Sequence, residues 1–152
     1  MASVTVEREI NAPRDDVWAV LTDLDQVAAT IRGIQSIEKH TDGPMGVGTK
    51  WTETRKMMGK SATETMWVTT FNPPQVYVVE AGSHGTHYRT TISVEPRPGE
   101  TTLVKYVFEG RPMTLMTKLM SPMFSLFKGM VAKCFRDDLD DIAAKVEAKT
   151  NK

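Results

Sequence analysis

An α+β fold is predicted for this chain of 152 residues. Three observations carry the prediction. The chain opens in period-two alternation, Gly33 to Glu109 has the texture of strand and turn, and a helical stripe fills most of the chain after Pro112. In order, Ser3 to Ile10 places Val4, Val6 and Ile10 on one face and Thr5, Glu7 and Glu9 on the other, the pattern of a half-buried strand. Asn11 is expected to cap the next element and Pro13 to occupy its first turn. Val17, Trp18, Leu21 and Leu24 then recur at helical spacing, with Asp15 and Asp16 at the positive end of the helix dipole. A short helix, or a broken pair reaching Arg32, is expected there. Turn signals at Asp42-Gly43-Pro44, Gly59-Lys60, Asn72-Pro73-Pro74, His84-Gly85 and Pro96 to Gly99 divide the next stretch into about six sequential strands of an antiparallel meander. Thr114 to roughly Ala148 reads as one long helix. No linker, repeat or low-complexity segment interrupts the pattern, so residues 1–152 are expected to form one domain.

The composition narrows the classes of function. With 40% hydrophobic residues a chain this long buries roughly two thirds of its unfolded surface, enough for a core with a pocket cut into it. Lys plus Arg and Asp plus Glu are 19 each, so the basic excess that collects phosphates is missing and nucleic acid is not an expected partner. Cys134 is the sole cysteine, which excludes an intramolecular disulfide and a zinc site of thiolates and suits a reducing cytoplasm. Met1 to Ile10 has neither the apolar core of a signal peptide nor a membrane-spanning run, and a cytoplasmic location is expected.

The strand faces carry the functional information. Between Thr49 and Met57 the odd positions Trp51, Glu53, Arg55 and Met57 oppose a solvent face of Lys50, Thr52, Thr54 and Lys56. From Ala62 to Thr70 the even positions Ala62, Glu64, Met66 and Val68 point inward. Two carboxylates and an arginine therefore face the interior. Taking Gly59-Lys60 as a two-residue hairpin turn pairs Met58 with Ser61, which places Arg55 opposite Glu64, Glu53 opposite Met66 and Trp51 opposite Val68. The parity of the two faces agrees, as it must, since a slip of one residue inverts a strand. In the next hairpin Tyr88, Thr90, Ile92 and Val94 face inward together with Thr102, Val104, Tyr106 and Phe108. Apolar walls with a few inward polar groups suit a small-molecule cavity. The same pattern also suits a solid core in which Arg55 and Glu64 form a structural ion pair, and both readings stand at this point.

Met116, Leu119, Met120, Met123, Phe127, Met130, Val131 and Cys134 share one stripe of the long helix, continued on a rotated register by Phe135, Leu139, Ile142 and Val146. The rotation, with Pro122 and Gly129, points to a kinked or curving helix that wraps a sheet. Thioethers repack around ligands of varied shape, so Met116, Met120 and Met123 are expected in a cavity wall, with plain core packing as the alternative. Arg111, Lys118, Lys128, Lys133 and Arg136 form a basic stretch without an acid. It reads either as a solvated outer face or as a surface for transient membrane contact. His84 and His87 lack a third ligand nearby in sequence, and Gly43, Gly46 and Gly48 match no phosphate-binding loop, so neither a metal nor a nucleotide cofactor is expected. Cys134, on the apolar stripe, reads as a buried, inert thiol.

Three segments then carry a resemblance: Ile10-Asn-Ala-Pro-Arg-Asp-Asp-Val-Trp-Ala-Val-Leu-Thr-Asp23, Gly46-Val-Gly-Thr-Lys-Trp-Thr-Glu-Thr-Arg55 and Val68-Thr-Thr-Phe-Asn-Pro-Pro74. In this order, and followed by a long last helix, they resemble the START-like or SRPBCC superfamily, and most of all its bacterial polyketide cyclase/dehydrase-like branch. The resemblance implies a helix-grip fold. A curved antiparallel sheet of about seven strands, with two short helices after the first, would grip the C-terminal helix around a hydrophobic cavity. Many relatives carry a tryptophan near the stretch that reads Val27-Ala-Ala-Thr-Ile-Arg32 here, and its absence implies a roomier or differently gated cavity end near Ala28 to Ile31.

The expected function is binding of a small hydrophobic or amphipathic ligand. The expected lining is Trp51, Glu53, Arg55, Glu64, Met66, Tyr88, Thr90, Ile92, Tyr106, Phe108, Met116, Met120 and Met123. Two alternatives stand beside it: a cofactor-independent cyclase or dehydratase, with Glu53, Arg55, Glu64 and Tyr88 steering protons, and a lipid carrier at a membrane surface. The residues do not distinguish a monomer from a homodimer.

Overall fold

The computed structural model describes residues 2–57, 59–83, 86–112 and 124–150. The elements are β1 (Ala2–Ile10), α1 (Arg14–Leu21), α2 (Leu24–Thr30), β2 (Ile34–Lys39), β3 (Lys50–Met57), β4 (Lys60–Asn72), β5 (Val76–Ser83), β6 (Thr86–Arg97), β7 (Thr101–Pro112) and α3 (Phe124–Thr150). The strands form one antiparallel, curved sheet in the order β1-β7-β6-β5-β4-β3-β2, so the first strand of the chain lies beside the last. This is the helix-grip arrangement expected from the sequence. The part of the expected long helix before Phe124, with its Pro122 and the methionines Met116, Met120 and Met123, lies outside the described residues.

Local chemistry accounts for most boundaries and corrects one. Helix α1 begins after Pro13, whose extended backbone (φ −62°, ψ 151°) supplies no capping side chain, so Asn11 is not the cap. Asn11 instead donates its backbone N–H to the Glu147 carboxylate of α3 at 2.9 Å. Helix α2 has a true cap, since the Asp23 side chain accepts from the Asp25 N–H at 3.2 Å.

The β3–β4 register differs from the sequence-based one by two residues. Met57 pairs with Lys60, so the strands turn between these two, and Gly59 sits there with φ +80°, a left-handed conformation open to glycine. Glu53 therefore lies opposite Glu64, Arg55 opposite Ala62 and Trp51 opposite Met66. A slip of two keeps every side chain on its face, which is why the parity of the faces agrees while the partners differ.

The core joins the concave face of the sheet to α1 and α3. Ile10, Val17, Val104, Leu139, Ile142 and Val146 are among its completely buried members. Trp18 packs its ring against Phe71 and Tyr77 at centroid distances of 5.5 and 5.4 Å, fixing α1 to β4 and β5. Thr102, also fully buried, donates its hydroxyl to the Ala12 carbonyl at 2.7 Å and so ties the β1–α1 corner to β7. At the surface α3 is fastened by Arg8 to Asp140 and by Arg32 to Asp141. Together these contacts set the rotation of α3 about its axis and decide which of its side chains look toward the middle of the sheet.

Candidate functional site

A cavity of about 750 Å3 separates the sheet from α3. Its size falls in the range of small-molecule sites. Alternate residues of five neighbouring strands form one wall: Trp51, Glu53 and Arg55 of β3, Glu64 and Met66 of β4, Tyr77, Val79 and Ala81 of β5, Tyr88, Thr90 and Ile92 of β6, and Tyr106 and Phe108 of β7. The opposite wall is one face of α3, where Met130, Val131, Cys134, Phe135, Asp138 and Ile142 follow at helical spacing. Val27 and Ile31 close the α2 end with Ile34 and Met45, and no polar side chain is among these four. The stretch from Val27 to Arg32 thus borders the cavity.

Of the thirteen residues expected to line a site, the ten from Trp51 to Phe108 come together on this wall. Met116, Met120 and Met123 lie outside the described residues. Tyr88 stacks on Phe108 at 5.2 Å, and Phe135 of α3 meets Tyr106 and Phe108 edge-on at 5.1 and 5.6 Å. These ring contacts join α3 to β7 on that side.

The polar centre of the cavity differs from the expected one. Arg55 does not pair with Glu64 across the hairpin. Its Nε donates to Glu53 at 3.0 Å, and its Nη1 donates to both oxygens of Asp138, at 3.0 and 3.3 Å, and to the Cys134 sulfur at 2.7 Å. Residues two apart on a strand share a face, so Glu53 reaches the guanidinium from its own strand, while Asp138 arrives from α3. The three side chains are 14%, 9% and 6% exposed for Arg55, Glu53 and Asp138. Burial pulls the Arg55 pKa down, and the charges of Asp138 and Glu53 outweigh it and raise it. Burial pushes the Asp138 carboxyl up to about 6, against the opposing pull of Arg55. Cys134 is half-buried on the cavity wall rather than sealed in the core. Burial raises its pKa and Arg55 opposes the rise, so the thiol form is favoured.

Other hydroxyls and donors complete the picture. Tyr77 donates to the Leu21 carbonyl at 3.4 Å, and burial raises the pKa of both Tyr77 and Tyr106. Trp51 Nε1 is buried and finds no acceptor among the described residues. His87 lies outside the cavity, hydrogen-bonded to Glu80 at 2.6 Å beneath the Trp67 ring, and His84 lies outside the described residues. Lys128 and Lys133 are exposed and Arg136 is exposed beside them, with Lys133 bonded to Asp137 at 2.7 Å. Among the described residues no helix is long and apolar enough to cross a membrane.

Asp138 is the member of the charged cluster that sequence reasoning missed, and Tyr77, Val79 and Ala81 of β5 are lining residues it also missed. One signal was available, since Asp138 sits four residues after Cys134 and so continues the apolar stripe one turn further. A carboxylate on the buried side of a helix asks for a cation, and the inward arginine of β3 was the candidate.

A curved antiparallel sheet closed over a long C-terminal helix is the helix-grip fold, and here it encloses a mostly apolar cavity with a charged centre. The chain belongs to the polyketide cyclase/dehydrase and lipid transport family, whose model matches residues 1–147. Among solved structures it is similar to the Thermus thermophilus protein TTHA0849, with a TM-score of 0.81 and 18% identity over 97% of this chain and 99% of that one. It is similar to the Zhui aromatase/cyclase of a Streptomyces species, with a TM-score of 0.77 and 17% identity over 98% and 95%. A norcoclaurine synthase point mutant from Thalictrum flavum, in complex with a transition-state analogue, gives a TM-score of 0.77 and 19% identity over 98% and 96%. At these identities the likeness is one of fold. No curated protein matches the chain by sequence.

Proposed function

We propose that the protein binds one small amphipathic molecule between its sheet and α3, with the apolar part among the aromatic and aliphatic walls and a polar group at the Arg55 cluster. The observation that carries this reading is the cavity of about 750 Å3 that leaves Trp51, Met66, Tyr88, Ile92 and Phe108 lining open space. Apolar side chains around a void forgo the contacts of a packed core, at roughly 20–30 cal/mol per Å3, and a ligand restores them. The family description, which includes lipid transport, agrees with this use of the fold. Displacement of a fluorescent apolar probe tests it. Saturable binding is expected in the wild type, and Ala81→Phe, which extends a ring from β5 into the cavity, is expected to weaken it at least about tenfold while the thermal melt stays cooperative. Absence of saturable binding by any apolar probe would remove the proposal.

A second reading is supported by Asp138. A carboxyl whose pKa is about 6, bonded to a guanidinium on a cavity wall, can give or take a proton near neutral pH while Arg55 steadies a developing enolate or alkoxide oxygen. These are the requirements of a cofactor-independent cyclase or dehydratase acting on a ketone-rich substrate. If catalysis is the role, Asp138→Asn should lower turnover of a tethered poly-β-ketone analogue by about 100-fold or more while probe binding changes little. Equal loss of binding and turnover would assign Asp138 to ligand holding alone.

A further inference from the structure

We propose that Trp51 is a specificity-determining residue of the cavity, its indole N–H donating to the carbonyl oxygen of a ketone or ester in the ligand, apart from the polar group at the Arg55 cluster. The inference rests on the ligand-binding reading above and adds to it a second polar contact and the class of group that makes it.

Trp51 lines the cavity from β3, is 4% exposed, and its Nε1 is buried with no hydrogen-bond partner among the described residues. A buried indole N–H ordinarily has an acceptor, so this donor is set apart from the rest of the wall. Its surroundings explain why. The side-chain oxygens two residues to either side are engaged elsewhere, since Thr49 accepts from the Gly46 N–H at 2.9 Å and Glu53 accepts from Arg55 Nε at 3.0 Å. Across the two ladders Trp51 faces Met66 of β4 and Lys39 of β2. A thioether is a weak acceptor and an ammonium is none.

The missing partner defines the group that fits. An ammonium or a hydrocarbon offers no lone pair, and a hydroxyl brings a proton of its own, which Met66 and its ladder neighbour Ala81 have no side-chain oxygen to receive. A carbonyl oxygen needs a donor and nothing else. The N–H is closed to water as the side chains stand. Met66 lies on the same wall, and its unbranched thioether changes rotamer at low cost, so it can yield to an incoming oxygen. Trp51 and Arg55 are four residues apart on one face of β3, about 13 Å along an extended strand, so the two polar contacts suit a ligand with two separated polar groups.

The test uses two isomeric long-chain ω-hydroxy ketones, with the carbonyl mid-chain in one and near the far end in the other, each beside the alkene in which a methylene group replaces the carbonyl oxygen. All four displace one apolar fluorescent probe from the wild type and from Trp51→Phe. Ketone and alkene share a shape, so their affinity ratio cancels the space that the smaller ring opens. For at least one ketone that ratio is expected to fall at least about fivefold in the variant, the size of one hydrogen bond to a buried donor. If Trp51→Phe does not fold, the wild type answers through the indole N–H resonances of its three tryptophans. Trp67→Phe identifies one of them, and contacts with Phe71 and Tyr77 identify Trp18. The Trp51 resonance is expected to move downfield with a ketone and not with its alkene. A ratio unchanged for both ketones, or a Trp51 resonance that neither ketone moves apart from its alkene, overturns the assignment while leaving the binding role intact. If none of the four displaces the probe from the wild type, the ligand-binding reading itself fails and takes this inference with it.

Discussion

Replacing Arg55 with methionine is expected to cost about 3 to 5 kcal/mol of folding free energy, the usual penalty for removing one partner of a buried ionic cluster. Methionine keeps most of the apolar stem, so the loss is electrostatic rather than steric. Two carboxylates that share the guanidinium, Glu53 at 3.0 Å and Asp138 at 3.0 Å, are left facing each other in a wall where their side chains are only 9% and 6% exposed. The triple variant Arg55→Met, Glu53→Gln, Asp138→Asn removes every charge of the cluster and is expected to recover more than half of that loss, because neutral amides cost far less to bury than unpaired carboxylates. Urea unfolding of the wild type and the two variants at one pH measures both numbers. A loss under about 1 kcal/mol in the single variant, the value typical of an exposed pair, would mean that solvent in the cavity carries the charges and that the cluster has no structural role.

The second large effect is in the pH dependence of stability. Burial raises the Asp138 carboxyl from 3.8 to about 6, although Arg55 pulls the other way. In the unfolded chain the same group loses its proton at about 3.9. Between these values the native state holds a proton that the unfolded state has released, so this group's contribution to stability is fully present below about pH 4 and is lost as pH rises through about 6. Two pKa units correspond to about 3 kcal/mol. Glu80 works in the opposite sense. Its hydrogen bonds to His87 and Thr69 lower its pKa, and its contribution is present above the ordinary carboxylate range and lost on acidification. The raw profile of the wild type mixes both. Subtracting the profile of Asp138→Asn isolates one group, and the variant is expected to gain about 2 to 3 kcal/mol on the wild type between pH 4 and pH 7. A difference curve that stays flat over that interval would show that Asp138 titrates as an exposed acid does.

The two expectations are linked by the same imbalance. Arg55 can satisfy one carboxylate fully, and Glu53 is on its own strand, so removing the charge of Asp138 still leaves a balanced pair, whereas removing the charge of Arg55 leaves two acids. The excess carboxylate is the group whose pKa rises.

The inward faces of β3, β4, β6 and β7 were legible in the sequence, because alternation along a strand is a local property of the backbone and needs no knowledge of the partner. That is how Trp51, Glu53, Arg55, Glu64, Met66, Tyr88, Thr90, Ile92, Tyr106 and Phe108 could be placed on one wall from their spacing alone. The order of elements was legible for the same reason, since Pro, Gly and Asn mark turns by their own backbone preferences. Pairing was not. Parity repeats every two residues, so it could not separate Arg55 opposite Glu64 from Arg55 opposite Ala62, and only the position of the turn, between Met57 and Lys60, decides between them. The meeting of Arg55 with Asp138, 83 residues apart in sequence, depends on how α3 is rotated and how far it is shifted along the sheet. Those two variables are set by contacts from all over the molecule, among them Ile10 and Leu139 in the core and Arg8 with Asp140 and Arg32 with Asp141 at the surface. Which residues look inward is therefore written in short stretches of sequence, while which charges meet is decided by tertiary packing, because a rigid helix transmits the sum of its distant contacts to a single carboxylate.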